Sequence, residues 1–167
     1  PGDASHGLDL KEIASRYARE YDAYKAANRE AGLDVRAIPC INHPVFKGKP
    51  VNFDPREEFV WDLFRNRGEY NVFHDFYRTL VQALYDEGAT RNVVCVNVDG
   101  VIAALLLKLT WQSYRGGALP ESALESAAFT LFLYGRMIGC AAEIDDHLNR
   151  GRNMDTRTPQ SRCRFVA

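Results

Sequence analysis

No charge of one sign dominates this chain: 21 Lys and Arg stand against 22 Asp and Glu in 167 residues. Nothing in that balance points to nucleic acid or to an acidic partner. Paired cysteine motifs are missing too. Cys40, Cys95, Cys140 and Cys163 lie far apart with no CxxC, and Cys95 and Cys140 fall in apolar stretches. Reduced thiols in a cytoplasmic protein fit this spacing better than a disulfide framework. The longest apolar run, Val101–Leu107, is far shorter than the ~20 residues a membrane span needs, so no membrane is expected. No secretory signal, internal repeat or low-complexity tract appears. Methionine is missing at the first position, where Pro1 leads into a turn-like GDASHG. A fragment is therefore expected, with part of its function upstream.

At 46% hydrophobic and 11% aromatic residues, the composition is that of an ordinary globular protein with enough length for a sizeable core. Leu10, Ile13, Tyr17, Tyr21 and Tyr24 recur at spacings of three and four. That spacing predicts an amphipathic helix from about Leu8 to Glu30, stopped by Gly32. Between residues 35 and 57, Pro39, Pro44, Pro50 and Pro55 recur every five or six positions. Proline fixes φ and pushes the preceding residue toward extended geometry, so this stretch reads as a stiff, shaped loop. Such a loop is more often a site than a linker. It carries His43 between Asn42 and Pro44, and a small basic cluster of Lys47, Lys49 and Arg56.

Two helices are predicted next, one on Phe59, Val60, Leu63 and Phe64 and a longer one on the aromatic stripe from Val72 to Tyr85. His74 beside that stripe reads as structural. The VVCV segment, residues 93–96, reads as an extended lead into the stretch NVDGVIAALLLKL, residues 97–109. That stretch predicts a helix apolar on every side after its first turn, hence a central one. Asn97 is its expected N-cap, with Asp99 facing the positive end of the dipole. Pro120 starts a last long helix, nearly all apolar from Ala127 to Ala142 but interrupted by Arg136 between two glycines. A guanidinium in a buried helix must meet a carboxylate, carbonyl groups or an anion. Glu143 and His147 lie four apart on one helical face, but no second ligand pair accompanies them and no metal is expected. An arginine-bearing tail follows.

Three features stand in order: NHPVFKGKPVNFDPR at 42–56, NVDG at 97–100 and GRMIG at 135–139. Together they resemble the citrate synthase superfamily, most of all the citryl-CoA lyase module of ATP citrate lyase. The family's histidine loop commonly has the form GHxVx…DPR, so Asn42 in place of glycine is a departure. The resemblance covers the chain from about residue 35 onward. It implies an all-α fold, a citrate synthase-type small domain with a returning C-terminal segment. The parts are an N-terminal helix at 1–34, a core at 35–142 and an arginine-rich segment at 143–167.

It further implies an enzyme that cleaves citryl-CoA to acetyl-CoA and oxaloacetate, within ATP citrate lyase or a related lyase. Synthesis of citrate or 2-methylcitrate is the competing activity, and a non-catalytic helical assembly module the competing class. By resemblance, His43 binds the oxaloacetate carbonyl, which is the citryl hydroxyl in reverse, and Asp99 is the acid/base at the acetyl carbon. Arg136 and Arg157 would bind substrate carboxylates, and Lys47, Lys49 and Arg56 the phosphates of CoA. No tightly bound cofactor is implied, CoA being substrate or product. The expected partners are further copies of the chain, at least a dimer, and an ATP-using citryl-CoA synthetase module. The family's second catalytic histidine normally precedes these motifs in an HGG-type segment. Whether His6 or an upstream residue takes that part stays open.

Overall fold

The computed structural model describes residues 9–150, which hold five helices and no strand. The all-α expectation holds at that level. The chain divides into two units, one ending at Ala128 and one beginning at Phe129. Helix α1 (Leu10–Glu30) starts where the Asp9 side chain accepts a hydrogen bond from the Glu12 N–H at 3.0 Å. Its periodicity is as expected but its centre is not. The fully buried positions are Ala14 and Ala18, while Tyr17 and Tyr24 lie at the exposed margin. Two methyl-sized side chains let α1 approach α3 (Val72–Asp86) closely, and the pair forms the main core with Leu80, Ala83, Leu84 and Ala89.

Helix α2 (Pro55–Asn66) begins with Asp54 as N-cap and Pro55 at its first position, where the missing N–H costs nothing. It is joined to α3 by a buried polar cluster. His74 Nε2 lies 2.6 Å from Glu57 Oε1, and Arg78 reaches both Glu57 and Glu58 while its guanidinium covers the Trp61 ring at 4.5 Å. His74 thus has the structural place its sequence context suggests.

Helix α4 (Val98–Arg115) packs on α3 and, more lightly, on α2. It is not buried all round, as its composition suggested. Gly100, Val101 and Ala104 are buried, whereas Leu109 is 81% exposed. Its buried positions all lie in the first half, while toward its end Trp111 meets Phe73 edge-on at 5.0 Å. Helix α5 (Glu121–Arg150) departs further from expectation, because its apolar middle is exposed, with Ile138 at 70% and Met137 at 62%. By length and composition, Glu121–Asp145 could cross a membrane, and none of that window is buried. An apolar composition buries a helix only where another surface covers it.

The proline-bearing loop is fastened to the lead into α4 at two places. Ile41 pairs antiparallel with Val96 and Val51 pairs parallel with Val93, so residues 93–96 are extended but not unpaired. Ile41 also packs against both hydrophobic clusters, one on α1 and α3 and one formed by Val81, Val93 and Val96.

Candidate functional site at the amino end of α4

His43 is set by what precedes it. Cys40 and Asn42 both adopt φ 65°, the left-handed region. For Asn42 this is mild, because asparagine tolerates that conformation better than other non-glycine residues. Glycine would adopt the same conformation at no cost. The turn is clamped by hydrogen bonds from the Asn42 N–H to the Cys95 carbonyl at 2.9 Å and from the Asn97 N–H to the Cys40 carbonyl at 2.8 Å.

The buried Cys95 thiol anchors the next residues. Its sulfur accepts from the His43 N–H at 3.4 Å and lies 3.5 Å from the Phe46 carbonyl and 3.6 Å from Asn97 Oδ1, two acceptors for one S–H. Asn97 therefore stands at the N-cap position without capping through its side chain. The expected cap is replaced by a contact with the thiol. The His43 ring stacks on Phe46 at 4.7 Å, and its Nδ1 accepts the Val45 N–H at 3.1 Å. A lone pair on Nδ1 places the ring proton on Nε2, so the half-buried imidazole presents a donor.

Asp54, whose side chain is 0% exposed, grips Arg56 through two bonds, Nε to Oδ1 at 2.9 Å and one terminal nitrogen to Oδ2 at 2.6 Å. Burial pushes the Asp54 carboxyl up, but the hydrogen bonds and charge of Arg56, helped by His43, outweigh it and hold the group below the usual carboxylate range. The same hydrogen bond raises Arg56 against the opposing effect of burial, and Asp99 adds to the rise. His43, Asp54, Arg56 and Asp99 thus share one electrostatic neighbourhood at the amino ends of α2 and α4. Both helix ends carry partial positive charge, which suits anionic ligands.

Asp99, in the first turn of α4, is half-buried, and burial followed by the charge of Asp99 pushes the Cys40 thiol up to about 11. Gly100 is what lets the loop come so near. A Cβ there would meet Cys40 Cβ at 3.1 Å and the Cys40 carbonyl oxygen at 3.2 Å. Lys47 and Lys49 are exposed on the bend of the loop, while buried Asn52 ties that bend down by accepting the Lys49 N–H at 3.0 Å and donating to the Val93 carbonyl at 3.0 Å.

The structure brings His43, Asp99 and Arg56 to one end of the first unit. Arg136 belongs to the second unit, exposed on α5 with its guanidinium over Phe132 at 5.3 Å. It is not the buried arginine its surroundings in sequence suggested. Arg157 and His6 lie outside the described residues. Sequence reasoning passed over Asp54 and Cys40. An Asp-Pro step ahead of a helix is a legible cap signal for the first. A thiol in the left-handed region has no signature in sequence.

No protein-family model, curated protein or solved structure matched this chain.

Proposed function

We propose that the chain is a catalytic module of citrate synthase type that cleaves citryl-CoA to acetyl-CoA and oxaloacetate. The observation that carries this reading is local. An imidazole donor and a carboxylate, 56 residues apart in sequence, are held beside one another's neighbours at the amino end of α4. Cleavage turns a hydroxyl into a carbonyl, leaves a thioester enolate and needs a proton delivered to that carbon. His43 Nε2–H is suited to hold the oxygen through its change, and Asp99, starting as the carboxylate, to take up the proton the hydroxyl loses, directly or through water, and deliver it to the enolate carbon, or to remove it from that carbon when the reaction runs toward citrate.

Arg56, more than a third exposed and held at its base by the two bonds to Asp54, stays in the proposal as a ligand for the phosphates of CoA. Lys47 and Lys49, exposed on the bend, remain suited to CoA phosphates. Arg136 and Arg157 belong to the proposal as carboxylate ligands, CoA as substrate or product, and an ATP-using citryl-CoA synthetase as source of the thioester. A cytoplasmic homo-oligomer belongs to it as well, and the exposed apolar surface of α5 is of the kind that subunit contacts bury.

The test is to incubate the full-length protein with citryl-CoA, and separately with acetyl-CoA plus oxaloacetate, and to compare rates. Asp99→Asn removes the acid/base and is expected to lower turnover at least ~100-fold. Turnover that survives Asp99→Asn, or no reaction in either mixture, refutes the proposal. Faster reaction of the second mixture makes the enzyme a citrate synthase, and faster reaction still with propionyl-CoA in place of acetyl-CoA makes it a 2-methylcitrate synthase.

A further inference from the structure

An aromatic ring that the proposed chemistry leaves unused links two polar groups of the site. Phe46, half-buried on the loop, stacks on the His43 imidazole with ring centroids 4.7 Å apart and an angle of 29° between the planes. The central carbon of the Arg56 guanidinium lies 5.7 Å from the centroid of the same ring, within the ~6 Å at which a cation is drawn to an aromatic face. An imidazole and a guanidinium thus share one phenyl ring.

The ring and its cation are both fastened. Arg56 is gripped by the wholly buried carboxylate of Asp54 through bonds of 2.9 and 2.6 Å. The Phe46 carbonyl lies 3.5 Å from the Cys95 sulfur, the same sulfur that accepts the His43 N–H at 3.4 Å, so residues 43 and 46 hang on one buried thiol. Nor is Phe46 there to fill the core. It belongs to neither hydrophobic cluster, whereas Ile41 of the same loop packs against both.

The imidazole needs such a neighbour. Beyond its backbone, one hydrogen bond holds it, from the Val45 N–H to Nδ1 at 3.1 Å. A single bond at one corner lets a ring rock about that bond, and Nε2 at the far side swings most. A stacked face opposes that rocking. We infer that Phe46 is a positioning residue for His43: its ring, steadied by the Arg56 that Asp54 anchors, fixes the plane of the imidazole and hence the direction in which Nε2–H points. This rests on reading His43 as the group that holds the reacting oxygen, whose placement governs the rate steeply.

The test is a double-mutant cycle in the full-length protein. Phe46→Leu keeps an apolar side chain and loses the flat face. It is expected to lower kcat for citryl-CoA cleavage about 10-fold with KM changed less than about 2-fold, and Phe46→Tyr to keep most of the rate. In the His43→Gln background the same Phe46→Leu change should alter kcat less than about 2-fold, because no imidazole is left to aim. General loosening of the loop would carry its loss into both backgrounds. An equal loss in both, or no loss beside an intact His43, overturns the proposal.

A second measurement does not depend on activity. Histidine labelled with carbon-13 at Cε1 reports the ring by NMR, and the His43 signal is the one missing in His43→Gln. Phe46→Leu removes the ring current of the phenyl group, so the His43 Hε1 resonance should move, while Phe46→Tyr should leave it near its place. A resonance that Phe46→Leu does not move overturns the proposal whatever the protein catalyses. A resonance that moves, in a protein that does not turn over citryl-CoA, upholds the hold of Phe46 on His43 and removes the lyase reading alone.

Discussion

Gly100→Ala sets two effects of comparable size against each other. In a helix, alanine is favoured over glycine by as much as ~1 kcal/mol, because glycine has more conformational freedom to lose. Against that gain stands space. The new methyl group would lie 3.1 Å from Cys40 Cβ, 3.2 Å from the Cys40 carbonyl oxygen and 3.2 Å from Val96 Cγ1. Two of these atoms belong to backbone or to the first atom of a side chain, so no rotamer change relieves them. Overpacking of this kind costs about 1–3 kcal/mol. The net expectation is a loss of about 0–2 kcal/mol, which for a chain of this length lowers Tm by several degrees at most. The local effect is the more telling one. The loop must retreat from α4, so the Asn97 amide loses its bond to the Cys40 carbonyl and exchanges faster with deuterium, by roughly 10-fold for each ~1.4 kcal/mol of lost protection. Urea melts combined with amide exchange at Asn97 and Asn42 measure both. A stabilised protein with unchanged exchange at those two amides would refute the close-approach argument.

Asp54→Asn keeps a good helix cap but removes the charge and one of the two acceptors that hold Arg56. Because Asp54 is held below the usual carboxylate range in the folded chain, its contribution is present above the unfolded pKa of about 3.9 and is lost as the pH falls through the lower folded value. The variant is expected to be less stable by about 1 kcal/mol at pH 6, with Arg56 more than a third exposed and therefore screened, and the gap to narrow as the pH falls below the unfolded value; a constant gap across the acid melts would contradict it. Glu57→Ala leaves His74 and Arg78 without their shared acceptor, and urea denaturation should read a loss of about 2–4 kcal/mol; a loss under 1 kcal/mol would mean the cluster adds little. On α5, Ile138→Lys should lower the mass seen by analytical ultracentrifugation with helix content intact by circular dichroism, and an unchanged oligomer would remove that surface from the subunit contact.

The helices were legible because their signals are local. Spacing marks the stripe of α1 and α3, and Asp-Pro and Gly stops mark the ends. Even so, periodicity in α1 singled out the tyrosines where burial chose Ala14 and Ala18, since the pattern sees hydrophobicity and closeness of approach depends on size. The apolar run of α4 predicts a core helix, although coverage depends on neighbours that no window of sequence contains. The same limit applies to Arg136, whose apolar surroundings along the chain are not its surroundings in space. Within the site, His43 and Asp99 could be singled out by residue type and by resemblance. The close approach of Cys40 to Gly100, 60 positions away, depends on how the loop is laid against α4, which only the fold supplies.

Two separate fastenings, Ile41 to Val96 and Val51 to Val93, bracket the arc that carries His43, Lys47 and Lys49. Both ends of that arc are pinned to the same short lead into α4, and His43 is held besides by its own N–H bond to the Cys95 sulfur. The outer turn can therefore be recharged or exchanged while both of its roots stay anchored.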